Sequence, residues 1–231
     1  MKVGTDGVLL GAWCPLPEAG SFKVSGFQSF KGFKVLDIGT GSGLIALMLA
    51  QRMPEAKITA IDIDCGAVEQ ANYNFELSPW KDRLDCQQTA LQDLAGEGIY
   101  DLIVSNPPYF QASLKNPDSQ RSLARHTDTL SYDELLAHSA RLLKEEGILA
   151  LVLPIEAEQQ IIALAQTHNL YPRHITHVYP KPGKAAKRLL IAFSRYPIPD
   201  TRFPIAYSLT LESENAPRSQ EYQELTKDFY L

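Results

Sequence analysis

The sequence predicts an α/β protein with a mostly parallel sheet, helices on both faces and an antiparallel hairpin that closes the sheet. Three observations favour this class. Short apolar stretches alternate with helical ones from Lys34 to His168, as in right-handed βαβ units. A glycine-rich turn joins the first stretch to its helix. The β-like stretches 173–179 and 188–195 leave no room for a helix between them, so we expect them to pair as antiparallel neighbours.

Local patterns place the individual elements. Strands are predicted at 34–38, 57–63, 84–88, 100–105, 148–153, 173–179 and 188–195, with a possible short one at 206–211. Helices are predicted at 44–53, 65–77, 131–146, 156–168 and 221–227. Asp64 is expected to cap the second helix, Ser131 and Glu134 to form a capping box, and Gly147 to follow a helix C-terminus. Residues 1–13 are interpreted as a polar turn before an apolar run, and the polar segment 110–130 as a long functional loop.

Length and composition limit the class of protein. With 231 residues, 45% hydrophobic and 21% charged, the chain fits one large α/β domain, or one domain plus a small appendage. We divide it into a substrate and cofactor-edge segment (1–33), a core (34–196) and a C-terminal extension (197–231). The three cysteines form no CxxC pair and favour a reducing cytoplasm. No apolar run is long enough to span a bilayer. A net charge of −5 argues against a protein that coats nucleic acid nonspecifically but permits a local basic face.

The turn DIGTGSG carries the first functional signal. Asp37 precedes the glycines Gly39, Gly41 and Gly43 between a strand and its helix, where α/β sheets bind ligands. The dinucleotide fingerprint needs its third glycine at the position of Leu44. A carboxylate here would repel a pyrophosphate and attract a sulfonium ligand that also carries an ammonium. The pattern therefore disfavours a nicotinamide oxidoreductase.

An acid after the second strand adds to this signal. Asp62 stands where a carboxylate accepts hydrogen bonds from both ribose hydroxyls of an adenosine. Asp64 is interpreted as a helix cap, with a ligand role as the alternative. Together with DIGTGSG, this pattern resembles the Rossmann-like, class I S-adenosylmethionine methyltransferases. That resemblance implies a seven-stranded sheet and S-adenosyl-L-methionine as cofactor.

The tetrapeptide Asn106-Pro107-Pro108-Tyr109 directly follows the fourth strand. The Asn106 side-chain oxygen and the Pro107 carbonyl can accept hydrogen bonds from a planar NH₂ group and aim its nitrogen at a methyl donor. Consecutive prolines stiffen the backbone, and the Tyr109 ring offers a stacking surface for a base. NPPY resembles the signature of methyltransferases that act on adenine N6, guanine N2 or the glutamine amide. The alternative is a loop-breaking Pro-Pro with a surface tyrosine.

Flanking stretches narrow the resemblance. KVGTDGVLLGAW, NPPYF, SLARHTDTLSYDELL, KPGKAAKRLL and LTKDFYL are together similar to the bacterial tRNA1(Val) adenine-N6 methyltransferases, over nearly the whole chain. This implies methylation of the adenine next to the anticodon of a valine tRNA, in the cytoplasm, with no DNA, membrane or metal expected. Members of the family normally have further residues before the position of Met1, so we expect the true start upstream.

The resemblance also implies site residues. Near the cofactor we expect Lys2, Thr5, Asp37, Gly39, Thr40, Gly41, Gly43, Asp62, Ile63, Thr89, Ala90 and Asn106. By this resemblance Lys2, Thr5 and Asp6 would lie near the methionine end of the cofactor, and they could equally form a capped turn. Relatives often carry an acid at the position of Thr89 or Ala90. Catalysis is assigned to Asn106, Pro107 and Tyr109. Candidates for RNA contact, which could instead be solvated loop residues, are Tyr109, Phe110, Arg121, Arg125, His126, Lys181, Lys184, Lys187 and Arg188.

Rival functions remain open on the sequence. A protein glutamine methyltransferase of the release-factor type shares NPPY but has a helical domain before its cofactor loop, whereas only 36 residues precede Asp37. A guanine-N2 RNA methyltransferase is the second rival. A tRNA-binding or folding factor with a vestigial cofactor pocket is the third, and the intact Asn106 and Tyr109 count against it.

Overall fold

The computed structural model describes residues 4–17, 32–108, 130–197 and 206–230. Its helices are α1 (Thr5–Trp13), α2 (Leu44–Arg52), α3 (Cys65–Glu76), α4 (Tyr132–Leu142), α5 (Glu158–Thr167) and α6 (Gln220–Thr226). Its strands are β1 (Lys34–Ile38), β2 (Lys57–Asp62), β3 (Leu84–Gln88), β4 (Tyr100–Ser105), β5 (Leu143–Pro154), β6 (Tyr171–Tyr179), β7 (Arg188–Ser194) and β8 (Ala206–Thr210).

All of these strands form one sheet in the order β3-β2-β1-β4-β5-β7-β6-β8. The first five are parallel, and β7 runs antiparallel between β5 and β6. The predicted fold class and its closing hairpin are confirmed. The strand number of seven is wrong, because β8 adds an eighth strand that pairs in parallel with β6. Residues 206–211 were expected only as a possible strand. Their pairing depends on the free edge of the sheet at β6, which cannot be recognised from the short segment itself.

The predicted helix 131–146 is too long. The helix ends at Leu142, and β5 begins at Leu143, which pairs with Tyr100. Gly147 lies inside β5 and caps no helix. A Cβ at Gly147 would come within 2.7 Å of the Leu143 side chain and 3.0 Å of the Tyr100 carbonyl oxygen, next to an irregularity in the β4–β5 register. The glycine therefore serves close packing within the sheet, as at many bulges.

Two predicted caps are confirmed. The Asp64 carboxylate accepts a hydrogen bond from the Ala67 backbone N–H at 2.7 Å. Ser131 and Glu134 form a reciprocal capping box at the start of α4. Each satisfies backbone N–H groups that have no partner within the helix. The cap at Asp64 fixes the point where the chain leaves β2.

The N-terminal stretch is a helix, where a turn and an apolar run were expected. Helix α1 lies along α2, with Gly7 beside Leu44 and Gly11 beside Met48. A Cβ on Gly11 would meet the Met48 sulfur at 2.6 Å, so the glycine is needed for this close helix packing. Because the later residue of α1 contacts the later residue of α2, four positions on in both helices, α1 and α2 run in the same direction. Within the described ranges no helix is long and apolar enough to cross a membrane.

Candidate active site

The site is built where β1 and β4 end side by side. In the parallel β1–β4 register Ile38 pairs with Ser105, so Gly39 and Asn106 are the next residues on the two neighbouring strands. Adjacent strands lie about 4.8 Å apart. The buried Ser105 hydroxyl donates a hydrogen bond to the Ile38 carbonyl oxygen at 2.9 Å and ties the two strand ends together. The Asn106-Pro107 step thus follows directly beside the glycine turn.

The glycine turn uses conformations that other residues rarely adopt. Gly39, Gly41 and Gly43 all have positive φ, at 67°, 58° and 80°. The backbone N–H groups of Gly39 and Thr40 donate to the Ile61 carbonyl oxygen at 2.9 and 3.1 Å, which holds the turn against β2. A Cβ on Gly39 would meet nothing within 4 Å. The exposed Gly39 backbone is therefore open to a ligand from outside the sheet.

Asp37 is a buried carboxylate with an unused oxygen. Its Oδ2 accepts hydrogen bonds from the Thr40 hydroxyl at 2.7 Å and from the Ala46 N–H at 3.2 Å. Its Oδ1 is buried without a hydrogen-bond partner among the residues that the structure describes. Burial raises the pKa of Asp37 to about 6, Asp62 adds to this increase, and the bonds from Thr40 and Ala46 oppose it. An unsatisfied buried carboxylate oxygen is costly and suits a positively charged ligand.

Asp62 closes β2 on the other side of the turn. Its two oxygens accept hydrogen bonds from the Gly41 and Asp64 N–H groups, both at 3.0 Å. Ile63, the next residue, is 59% exposed although its side chain is apolar. The Thr89 N–H donates to the Asp62 carbonyl oxygen at 3.1 Å, and Thr89 and Ala90 are half-buried. The structure therefore brings the predicted set Asp62, Ile63, Thr89 and Ala90 together, beside the glycine turn.

The tetrapeptide is described only in part. Asn106 is half-buried, Pro107 is buried and Pro108 is exposed at the end of β4. Tyr109 lies outside the described residues. So do the candidates Lys2, Phe110, Arg121, Arg125 and His126. Their assigned roles stay predictions.

The first turn of α1 lies at the same edge of the sheet. Thr5 begins the helix and is exposed, and Gly7 packs on Leu44, the first residue of α2 after the glycine turn. Asp6 forms an ion pair with Arg188, the first residue of β7, at 2.9 Å. No sequence pattern links two residues so far apart in the chain, and this contact was not predicted.

The basic stretch after β6 reaches this edge as well. Val178 near the end of β6 pairs with Arg188, which itself pairs with Pro154 at the end of β5. The connection 180–187 therefore leaves the sheet on the same side as the glycine turn. It carries the exposed lysines Lys181, Lys184 and Lys187. Lys181 forms an ion pair with Glu212 at 3.0 Å, a partner that the sequence did not reveal.

Comparisons with known proteins agree with this architecture. The model of the methyltransferase small domain matches residues 18–169. A tRNA1(Val) (adenine(37)-N6)-methyltransferase of Parabacteroides distasonis is 48% identical over the whole chain and 91% of that protein. The protein of the same name from Flavobacterium johnsoniae is 44% identical over the whole chain and 93% of its length.

A solved structure supports the fold alone. A predicted O-methyltransferase from Agrobacterium tumefaciens superimposes with a TM-score of 0.71 at 16% identity, over 96% of this chain and 95% of that one. The sequence relatives carry the closer relationship, since they align along the full length of the chain at more than 40% identity. The chain belongs to the tRNA1(Val) (adenine(37)-N6)-methyltransferase family, a branch of the methyltransferases with the small methyltransferase domain.

Proposed function

We propose that this protein transfers a methyl group from S-adenosyl-L-methionine to N6 of an adenine in tRNA, at the position next to the anticodon of tRNA1(Val). The observation that carries the proposal is the β1–β4 register, in which Ile38 pairs with Ser105. This register puts Asn106 and Pro107 beside the open glycine turn. Family membership supports the choice of adenine 37 as the target.

The residues around the turn fit the cofactor. Asp37, Gly39, Thr40, Gly41 and Gly43 would hold its methionine end, where the buried Asp37 carboxylate offers its unpartnered oxygen to an ammonium. Asp62 would hold the ribose, and the exposed Ile63 with Thr89 and Ala90 would line the adenine. Bound S-adenosylmethionine supplies an electrophilic methyl group on a sulfonium. A ligand with an ammonium and a sulfonium suits an edge where the charge of Asp62 already acts on Asp37.

Asn106 and Pro107 would orient the target amine. The exocyclic nitrogen of adenine is a poor nucleophile, because its lone pair is delocalised into the ring. The Asn106 side-chain oxygen and the Pro107 carbonyl would accept hydrogen bonds from the two N–H groups of this amine. These bonds would favour a tetrahedral nitrogen, on which positive charge develops. Positioning provides much of the rate, so no general base is needed. The methyl–sulfur bond breaks as the methyl–nitrogen bond forms, S-adenosylhomocysteine leaves, and the amine proton would pass to water after the transfer. Tyr109 would stack on the adenine, which must leave the anticodon loop to reach this edge.

The basic connection 180–187 would bind the tRNA backbone. Lys181, Lys184 and Lys187 are exposed there, on the same side of the sheet as Asn106. Phosphate contacts of this kind fix the register of an RNA without reading its sequence. Arg121, Arg125, His126 and Phe110 are proposed to assist from the segment after the tetrapeptide. With tRNA as the substrate, the reaction would take place in the cytoplasm.

One experiment tests the proposal. The protein is incubated with labelled S-adenosylmethionine and tRNA1(Val) that lacks this modification, and the product is digested to nucleosides. We expect label in N6-methyladenosine, and none when adenine 37 is replaced by guanine. Label in N2-methylguanosine or in protein would assign the chain to one of its rivals. Absence of any transfer, with cofactor binding intact, would favour a tRNA-binding factor.

A further inference from the structure

The Arg188 side chain, which the sequence suggests as an RNA contact, is engaged inside the protein. Its Nε–H donates to both carboxylate oxygens of Asp6, at 3.0 and 2.9 Å. Its Nη1 donates to the Lys187 carbonyl oxygen at 3.0 Å. The side chain of Arg188 is 33% exposed and that of Asp6 is 21% exposed. The ion pair is thus shielded from water and salt more than a surface pair would be.

The pair joins two elements that meet beside the glycine turn. Asp6 lies in the first turn of α1, and Gly7 after it packs against Leu44 and Ile45, the residues that follow the turn. Arg188 begins β7 opposite Pro154, the last residue of β5. The contact therefore attaches the start of α1 to the edge of the sheet at which β1 and β4 end.

The start of α1 has no side-chain cap of its own. Gly4 is the N-cap residue and makes no capping hydrogen bond from a side chain. Asp6 instead places a negative charge in the first turn, where the helix dipole favours it. Further along, α1 is held by the buried Val8, Leu9 and Leu10. Loss of the ion pair should therefore loosen the first turn and leave the rest of the helix docked.

From this geometry we infer that Arg188 is a positioning residue for the cofactor: through Asp6 it holds the first turn of α1 against the glycine turn. The inference rests on the proposed function for the identity of the cofactor. Arg188 is thereby separated from its neighbours Lys184 and Lys187, which face solvent on the connection itself. Of the four cations at 181–188 that are candidates for RNA contact, the three lysines stay assigned to RNA and the arginine to internal positioning.

The test measures binding of S-adenosylhomocysteine by calorimetry and binding of tRNA at several salt concentrations. We expect Arg188→Ala and Asp6→Asn each to weaken S-adenosylhomocysteine binding about tenfold, and the double variant to weaken it no further, since the two residues act as a pair. The KM for S-adenosylmethionine should rise while kcat changes little. The salt slope of tRNA binding should stay at its wild-type value. Lys184→Ala is the matched control, and it should reduce the salt slope of tRNA binding while leaving S-adenosylhomocysteine binding unchanged.

Rescue distinguishes positioning from a general loss of structure. Both contacts to Asp6 come from one N–H group, so a single charged donor should suffice and Arg188→Lys should recover most of the cofactor affinity. Asp6→Asn keeps the shape of the side chain, so this part of the test does not depend on the folding of Arg188→Ala. A reduced salt slope for Arg188→Ala, unchanged cofactor binding in either single variant, or strictly additive effects would overturn the inference. Because cofactor binding is measured without tRNA, these results are separable from a failure of the proposed methylation.

Discussion

The edge of the sheet that bears the site has two halves of opposite charge. On β1, β2 and the turns after them stand the carboxylates of Asp37, Asp62 and Asp64, and no cation of the described chain is seen to pair with them. On β7 and the connection before it stand Lys181, Lys184, Lys187 and Arg188. The acidic half suits a cationic cofactor and the basic half a phosphate backbone. A chain of net charge −5 can bind a polyanion in this way, because short-range fields decide local binding.

The two halves also differ in how firmly their charged side chains are held. In the acidic half Asp37 is buried and Asp62 is half-buried, and both are held by hydrogen bonds, as the Asp37–Thr40 and Asp62–Gly41 contacts show. The lysines of the basic half project from a connection and are exposed. Preorganised charge is what a precise small-molecule site requires, whereas phosphate contacts tolerate mobile side chains. Asn106 stands where the halves meet, at the end of β4.

The largest effect is expected at that meeting point. Asn106→Ala should lower kcat about 10²–10³-fold, because it removes an acceptor that acts on charge developing at the amine. Affinity for S-adenosylhomocysteine and for tRNA should stay near the wild-type values, since neither half of the edge is changed. Single-turnover methylation with saturating cofactor measures this. Transfer at the wild-type rate would remove Asn106 from catalysis.

In the acidic half, the Asp37 carboxylate should lower the stability of the fold while it strengthens cofactor binding. The pKa of Asp37 is raised to about 6 from 3.8, mainly by burial. The folded state therefore favours the neutral acid, so this carboxyl contributes most to stability below about pH 4, and that contribution is lost as the pH rises through 6. In the absence of cofactor, Asp37→Asn should raise the free energy of unfolding at pH 7.5 by up to about 3 kcal/mol.

The same substitution should weaken cofactor binding about a hundredfold at pH 7.5, because it removes the charge that meets the ammonium. Denaturant unfolding from pH 4 to pH 8 provides the comparison, since other carboxyls titrate equally in both proteins. The stability difference between variant and wild type should shrink toward pH 4. Parallel pH profiles would contradict a raised pKa at Asp37.

Two glycines of the turn should separate packing from ligand access. Gly43→Ala places a Cβ 2.5 Å from the Phe75 ring, in addition to a positive φ, and should lower the free energy of unfolding by about 2–3 kcal/mol. Gly39→Ala meets only open space and should cost about 1 kcal/mol for its positive φ. Although Gly39→Ala should lower stability only slightly, it should strongly weaken cofactor binding. Equal losses of stability at both positions would contradict this division.

The smallest effect is expected in the basic half. Lys184→Ala should weaken tRNA binding a few-fold and reduce the salt slope by about 1, uniformly across tRNA sequences. Cofactor affinity should not change. Lys57→Ala is the control, because Lys57 is exposed at the start of β2, on the opposite edge of the sheet. Equal changes for both lysines would show a general charge effect in place of a local phosphate contact.

Much of the acidic half could be predicted from the sequence, because its signals are local. The bounds predicted for β1, β3 and β4 agree with the structure, since each is a short run next to a turn or a cap. The glycine turn and Asp62 were also placed correctly, because parallel strands all end at one edge. The end of α4 and the role of Gly147 were not predictable. They depend on Leu143 and Tyr100, which are neighbours only across the sheet.

The amino-acid sequence by itself determined the strand-turn-helix order, the glycine conformations and the types of residue that follow β1, β2 and β4 at the edge of the sheet, since these follow from local propensity and spacing. Only the tertiary structure decided that β8 extends the sheet, that residues 5–13 form a helix against α2, and that Arg188 pairs with Asp6 and not with solvent. The physical reason is that these outcomes depend on which surfaces remain unpaired after the core has packed. That information is distributed over residues far apart in the chain.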